Sequence, residues 1–206
     1  RNAIQALPPG AETVEVLLAN QLLADEDAQV KLATILALAD QPENAQAGAA
    51  LARLSRLPSV TGDRWLNDAL TSAAAVHAMP FLQSLAANGE IGEPAERIVA
   101  ILGEHIARGR PSWSDIEPLL AQLPASNARF SQSLLAALKE AWPDDHVVKL
   151  DAAADTRLLQ FMEKLPDAAR GDLIWLGMNW GSQSLQQYVD EMVTGLSQQL
   201  ADTEVT

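Results

Sequence analysis

The sequence predicts an all-α protein, and three observations carry that reading. Alanine and leucine supply roughly a third of the 206 residues, and both are strong helix formers. Breakers recur every one or two dozen residues: Pro8-Pro9-Gly10, Gln41-Pro42, Pro58, Asn88-Gly89, Gly109 to Pro111, Pro124, Trp142-Pro143, Pro166 and Gly181. Between them, apolar residues fall at helical rather than alternating spacing. Only Val147-Val148 hints at a strand, and two residues cannot seed a sheet.

Taken in chain order, each segment has its own signals. Asp25 and Asp27 stand before Ala28, where a short carboxylate caps the first amides of a helix. From Val30 to Ala39 only Lys31 and Thr34 are polar, so this helix is expected to be covered on several sides. Asp63 precedes Arg64-Trp65-Leu66 as the next cap. Ile98, Ile101, Leu102 and His105 form one predicted buried stripe. Ser114 with Glu117 reads as a capping box, placing Pro118 near the first turn, where proline costs least. Phe130, Leu134, Ala137, Leu138, Ala141 and Trp142 make a second stripe. Asp167 is a cap for Ala168-Ala169, and Ser182 or Ser184 for Leu185. Leu185, Val189, Met192, Leu196 and Leu200 close the series.

Composition excludes several classes of function. The chain has no cysteine, so disulfides, thiol catalysis and C-x-x-C-H haem attachment have no residue to use here. Its 14 Lys+Arg against 27 Asp+Glu give a net charge of −13, opposite in sign to a nucleic-acid surface. Arg97, Arg108 and Arg110 are the nearest thing to a basic cluster. No apolar run reaches the roughly 18 residues of a membrane span.

Repetition organises the chain. Ala6-Leu7 recurs as Ala37-Leu38 and again as Ala69-Leu70, 31 and then 32 residues on, a spacing expected of stacked helix pairs. Leu22-Leu23-Ala24-Asp25-Glu26-Asp27-Ala28-Gln29-Val30-Lys31-Leu32-Ala33, running on to Leu38, resembles the turn and second helix of a HEAT repeat. The expected fold is therefore a right-handed α-solenoid of HEAT-like antiparallel helix pairs. It forms one repeat domain over 1–206, with its clearest repeats in 1–87 and more degenerate pairs in 91–206. Arg1 to Leu7 reads as a second helix without its first. Leu200-Ala201-Asp202-Thr203-Glu204-Val205 reads as a repeat turn without its second helix, as if the chain were a piece of a longer one.

The order of segments carries a further resemblance. Arg1 to Pro8, the Leu-Ala-Asp turn, Leu36-Ala37-Leu38-Ala39-Asp40, Asp63-Arg64-Trp65-Leu66, Ala73-Ala74-Ala75-Val76-His77, Ala168-Ala169-Arg170-Gly171 and Trp180-Gly181 appear in sequence. Together they resemble the HEAT-like region of large secreted bacterial proteins joining a sorbosone/glucose-dehydrogenase-like β-propeller to a c-type cytochrome domain. That resemblance implies a connector located in the periplasm or outside the cell. Any redox chemistry and any c-type haem would belong to flanking domains, and these domains or a protein partner would be its contacts.

No catalytic, cofactor-binding or metal-binding residue is assigned from the sequence. His105 beside Glu104 is the strongest candidate for an all-helical pocket, which is the alternative reading as a small enzyme or ligand-binding domain. His77 reads as a helix-end cap, and His146 after Asp144-Asp145 as part of a solvated acidic turn. The pairs Asp115/Glu117, Asp151/Asp155 and Asp190/Glu191 read as helix-start or polar-face groups rather than acid–base pairs. Asp25/Asp27 lacks the glycine and terminal glutamate of a calcium loop, and Gly89-Glu90-Ile91-Gly92 lacks phosphate-loop spacing. Trp65, Trp113, Trp142, Trp175 and Trp180 are expected to wedge between repeats with their N–H groups on carbonyls. Alternatively, Trp175 and Trp180 with Met178 would form a partner-binding patch. The resulting expectation is a non-catalytic scaffold.

Overall fold

A computed structural model describes residues 2–203, and among them the chain is all-helical with no strand. The α-helices are α1 (Asn2–Gln5), α2 (Ala11–Ala19), α3 (Ala28–Ala39), α4 (Ala45–Leu54), α5 (Pro58–Thr61), α6 (Arg64–Val76) and α7 (Ala78–Ala87). They continue as α8 (Glu93–Arg108), α9 (Trp113–Leu120), α10 (Ala128–Ala141), α11 (Ala152–Lys164), α12 (Asp167–Asn179) and α13 (Gln183–Thr203). Short 3-10 turns occupy Leu22–Ala24 and Leu123–Ala125.

Setting aside the single turn α5, each helix packs chiefly on the next but one. One row runs α1, α3, α6, α8, α10, α12. A second holds α2, α4, α7 and α9, then α11 and α13, with Leu123–Ala125 bridging α7 to α11. Contacts of α4 with α6, α7 with α8 and α11 with α12 join the rows. One apolar cluster extends from Ile4 to Leu185, including Phe81, Phe130 and Leu102, all fully buried.

Within each row, glycine is required where neighbouring helices approach closely. A Cβ on Gly48 of α4 would lie 2.8 Å from the Phe81 backbone nitrogen of α7, and one on Gly103 would lie 2.9 Å from Ala137 Cβ of α10. Gly171 of α12 has nothing within 4 Å of a built Cβ. Gly171→Ala is therefore expected to stabilise the fold by about 0.5–1 kcal/mol, through helix propensity alone. Chemical denaturation reads this as a raised midpoint with an unchanged slope.

The helix starts follow the sequence in part. Asp27 Oδ1 accepts from Gln29 N–H at 2.8 Å, and Asp63 Oδ1 accepts from Trp65 and Leu66 N–H at 2.8 and 3.0 Å. The cap of α9 is Ser112, not Ser114: Asp115 Oδ2 accepts from Ser112 N–H at 2.9 Å and from its hydroxyl at 2.6 Å. The shift leaves Pro118 inside α9 rather than in its first turn. Helix α12 begins at Asp167 itself with Pro166 as its cap residue, so Asp167 is a first-turn group, paired with Arg170 at 2.9 Å.

The buried faces also differ in places. On α8 the inward side is Ile98, Val99, Leu102 and Gly103, while Ile101 and His105 are exposed. Close approach at Gly103 turns that side toward α10. On α3, Leu36 stays exposed, so that helix is not covered all round. The stripe of α10 is buried as expected, through Phe130, Leu134, Ala137, Leu138 and Trp142. The repeated Ala-Leu pairs are not in register: Ala37-Leu38 ends α3, Ala69-Leu70 lies mid-helix in α6, and Ala6-Leu7 follows α1. Val148 is buried and Val147 exposed in a loop, with no strand. Where a turn was expected at Leu200, the helix α13 continues to Thr203; Arg1, Glu204 and Val205 lie outside the described residues.

Candidate functional site

The loops that carry the chain from the first row to the second hold Gln41, His77, Arg110, Asp145 and His146. They are bound to one another across separations of about one helix pair. Gln41 Oε1 accepts from Gly10 N–H at 2.7 Å, 31 residues away. His77, fully buried between α6 and α7, spans the gap to the preceding pair. Its Nδ1 accepts from Asn44 N–H at 3.0 Å, and its Nε2 lies 2.9 Å from the Leu38 carbonyl oxygen. An amide can only donate and a carbonyl only accept, so the ring is neutral with its hydrogen on Nε2. His77 is thus a bridge between pairs as well as the helix-end residue the sequence suggested.

The same pattern recurs further along. His146 Nε2 donates to the Pro111 carbonyl at 3.0 Å, and its ring stacks on Trp142 with centroids 5.5 Å apart. His146 is thus half-buried rather than solvated, while Asp144 and Asp145 form an exposed acidic turn as expected. Arg110 donates to both oxygens of Asp145, at 2.6 and 2.8 Å. That hydrogen bond holds the Asp145 carboxyl below its ordinary value, against desolvation. Trp142 Nε1 donates to the His146 carbonyl at 2.9 Å, and Trp142 meets Trp180 at 4.9 Å between centroids.

The tryptophans therefore divide. Trp142 and Trp180 are buried wedges, whereas Trp65 is 68% exposed and Trp175 39%. Only Trp142 places its N–H as expected; the Trp113 and Trp180 indole nitrogens are buried without a partner among the described residues. Since Trp180 faces inward, it cannot join Trp175 and Met178 in a surface patch.

At the last helix pair, Asp155 of α11 caps α13. The Ser182 hydroxyl donates to its Oδ1, while Ser184 donates from N–H at 3.0 Å and from its hydroxyl at 2.7 Å to Oδ2. Ser182 Oγ in turn accepts from Leu185 N–H at 3.2 Å, as the sequence proposed. Burial pushes the Asp155 carboxyl up, but the Ser182 and Ser184 hydroxyls and the Ser184 N–H outweigh it. Its pKa is lowered overall. Asp151 is a separate cap, accepting from Ala154 N–H at 2.7 Å, so the two aspartates do not work as a pair.

This geometry predicts a pH effect. A carboxylate with a lowered native pKa stabilises the fold fully above its unfolded value of about 3.9, and the contribution is lost as pH falls through the native pKa. Asp155→Asn is expected to lower stability at pH 7 and to flatten its fall in the acid range below about pH 4. Urea unfolding at several pH values measures both effects.

The remaining candidates are not brought together. Glu104 pairs with Arg108 at 2.7 Å and lines a cleft with Ala100, Ser133 and Glu140. His105 faces a different cleft, with Glu43, Val76, Met79 and Asp115. The two therefore do not share a pocket. Glu117 binds Arg157, 40 residues on, and not Asp115. Two hydrogen bonds from Ser112, side chain first and then backbone, hold the Asp115 carboxyl below its ordinary value. Asp190 and Glu191 each accept from a glutamine one turn earlier, at 2.9 Å. Arg97 is paired with Glu93 at 2.5 Å, so the three arginines form separate ion pairs rather than a patch. Gly89 takes φ +80° in the loop before α8.

Among the described residues no group of three His, Asp or Glu is placed to hold a metal, and no helix is long and apolar enough to cross a membrane. No protein-family model, curated protein or solved structure matches the chain. What the fold itself defines is an all-helical protein of paired rows.

Proposed function

We propose that the chain is a non-catalytic helical-repeat scaffold, a right-handed α-solenoid of HEAT-like pairs that holds flanking domains or a protein partner in place. The observation that supports this most is the ladder of bonds between loops, from Gly10–Gln41 through Asn44–His77 to Pro111–His146, at separations of 31, 33 and 35 residues. Three steps between successive loops are joined in this way, the kind of recurrence a repeat array shows. Its functional surface would be the exposed sides of the rows, and its excess of negative charge favours a basic partner face.

The wider context follows the sequence resemblance. The scaffold would work in the periplasm or outside the cell, between a β-propeller and a c-type cytochrome domain, with the haem on the flanking domain and none on this chain. The test is a visible spectrum of the full-length native protein before and after acid–acetone extraction. A Soret band that stays with the polypeptide is expected. A protein without covalent haem would overturn the connector role and leave a scaffold whose partners must be found on the intact chain.

A further inference from the structure

Helix α13 is 21 residues long, against 13 for its row neighbour α11. Asp155, in the first turn of α11, caps the start of α13, so the two begin side by side. At 1.5 Å per residue, α13 outruns α11 by about 12 Å. The overhang is the last eight residues, from Leu196, and the apolar stripe opens to solvent one turn before it. Leu185 is fully buried and Val189 half-buried, but Met192, Val193 and Leu196 are 48%, 57% and 55% exposed. These three lie on one side of the helix, at i, i+1 and i+4.

The charge around this face has one sign. After Arg170 the sequence contains no Lys, Arg or His, but five Asp or Glu. Asp190, three residues before Val193, flanks the stripe; its carboxylate is bonded to Gln186 and meets no cation among the described residues. On α12, Trp175 and Met178 are also exposed. Met178 lines a cleft of about 690 Å³ with Gln187, Asp190 and Glu191, on the side of α13 away from the stripe.

We propose that the exposed apolar face in the C-terminal half of α13 docks a basic amphipathic helix of a partner. Met192, Val193 and Leu196 receive its apolar stripe, with the flexible methionine adapting to the partner's side chains. Asp190 and Glu191, which meet no cation among the described residues, draw and orient its Lys or Arg residues. A second copy of the chain fits less well, because each copy would bring the same uncompensated acids to the contact. This inference rests on the scaffold reading, to which it adds a partner class.

The test titrates the whole chain into two labelled synthetic helices with the same leucine stripe at i, i+3, i+4 and i+7, one flanked by lysines and the other by glutamates. Fluorescence anisotropy is expected to show binding of the lysine peptide alone, weakened about tenfold or more by 0.5 M NaCl. Leu196→Lys is expected to cost a further tenfold or more with the helical circular dichroism unchanged, since the side chain is exposed. Leu36→Lys adds the same charge at an exposed position of α3 and is expected to leave affinity within about twofold. Equal binding of the two peptides, an equal loss in both variants, or a dimer in sedimentation that Leu196→Lys dissolves would each overturn the proposal. Failure of the lysine peptide to bind would remove this face and leave the scaffold reading standing on its own Soret-band test.

Discussion

Replacing His77 with alanine is expected to lower the unfolding free energy by about 3–5 kcal/mol. The ring is fully buried, and its loss strands two backbone groups from the preceding pair, Asn44 N–H and the Leu38 carbonyl. Each buried, unpaired group costs about 1–3 kcal/mol, and the vacated volume adds to that. At this chain length the change corresponds to a melting point lower by about 10 °C. His105 is the control: it is exposed and its ring makes no hydrogen bond among the described residues, so His105→Ala is expected to stay within about 0.5 kcal/mol of the parent. Denaturant midpoints of the two variants, measured together, check the contrast. Similar small losses in both would remove His77 from the account as a bridge between pairs.

Gly48→Val is expected to be nearly as damaging, at about 3 kcal/mol. Even the first carbon would sit 2.8 Å from the Phe81 backbone nitrogen and from Pro80, and backbone cannot swing aside as a side chain can. Helices α4 and α7 would have to part, loosening a contact on which the second row depends. The opposite sign expected for Gly171→Ala, with open space around it, shows that position within the rows decides the outcome. Thermal melts of Gly48→Val and Gly171→Ala should move in opposite directions.

Much of the fold was legible because helices announce themselves locally. Asp27 and Asp63 cap where their spacing says they should, and the α10 stripe is buried at every residue but the half-buried Ala141. Other features failed where a distant residue decided between two local solutions. Ser112 and Ser114 both precede an acid by three residues, at Asp115 and Glu117. Arg157, 40 residues on, takes Glu117, and Asp115 is left to complete the cap at Ser112. The α8 stripe was misread by one face because Gly103, not Ile101, is where α10 comes closest. His77 and His146 could not be read as bridges, since what they bind are backbone atoms of other loops, and backbone leaves no signature in sequence. The α13 stripe was visible as a pattern, but which part of it is covered only the packing reveals: Leu185 is buried, while Met192, Val193 and Leu196 are exposed.

The central claim is that the helix pairs stack as an open array rather than closing into a bundle. Small-angle X-ray scattering on the purified chain tests this most directly. A compact protein of this length has a radius of gyration of about 17 Å. An array whose successive pairs are spaced by about 8–10 Å, the usual distance between packed helices, should give about 20 Å or more and a pair-distance curve with an extended tail. A radius near 17 Å with a symmetric curve would contradict the array.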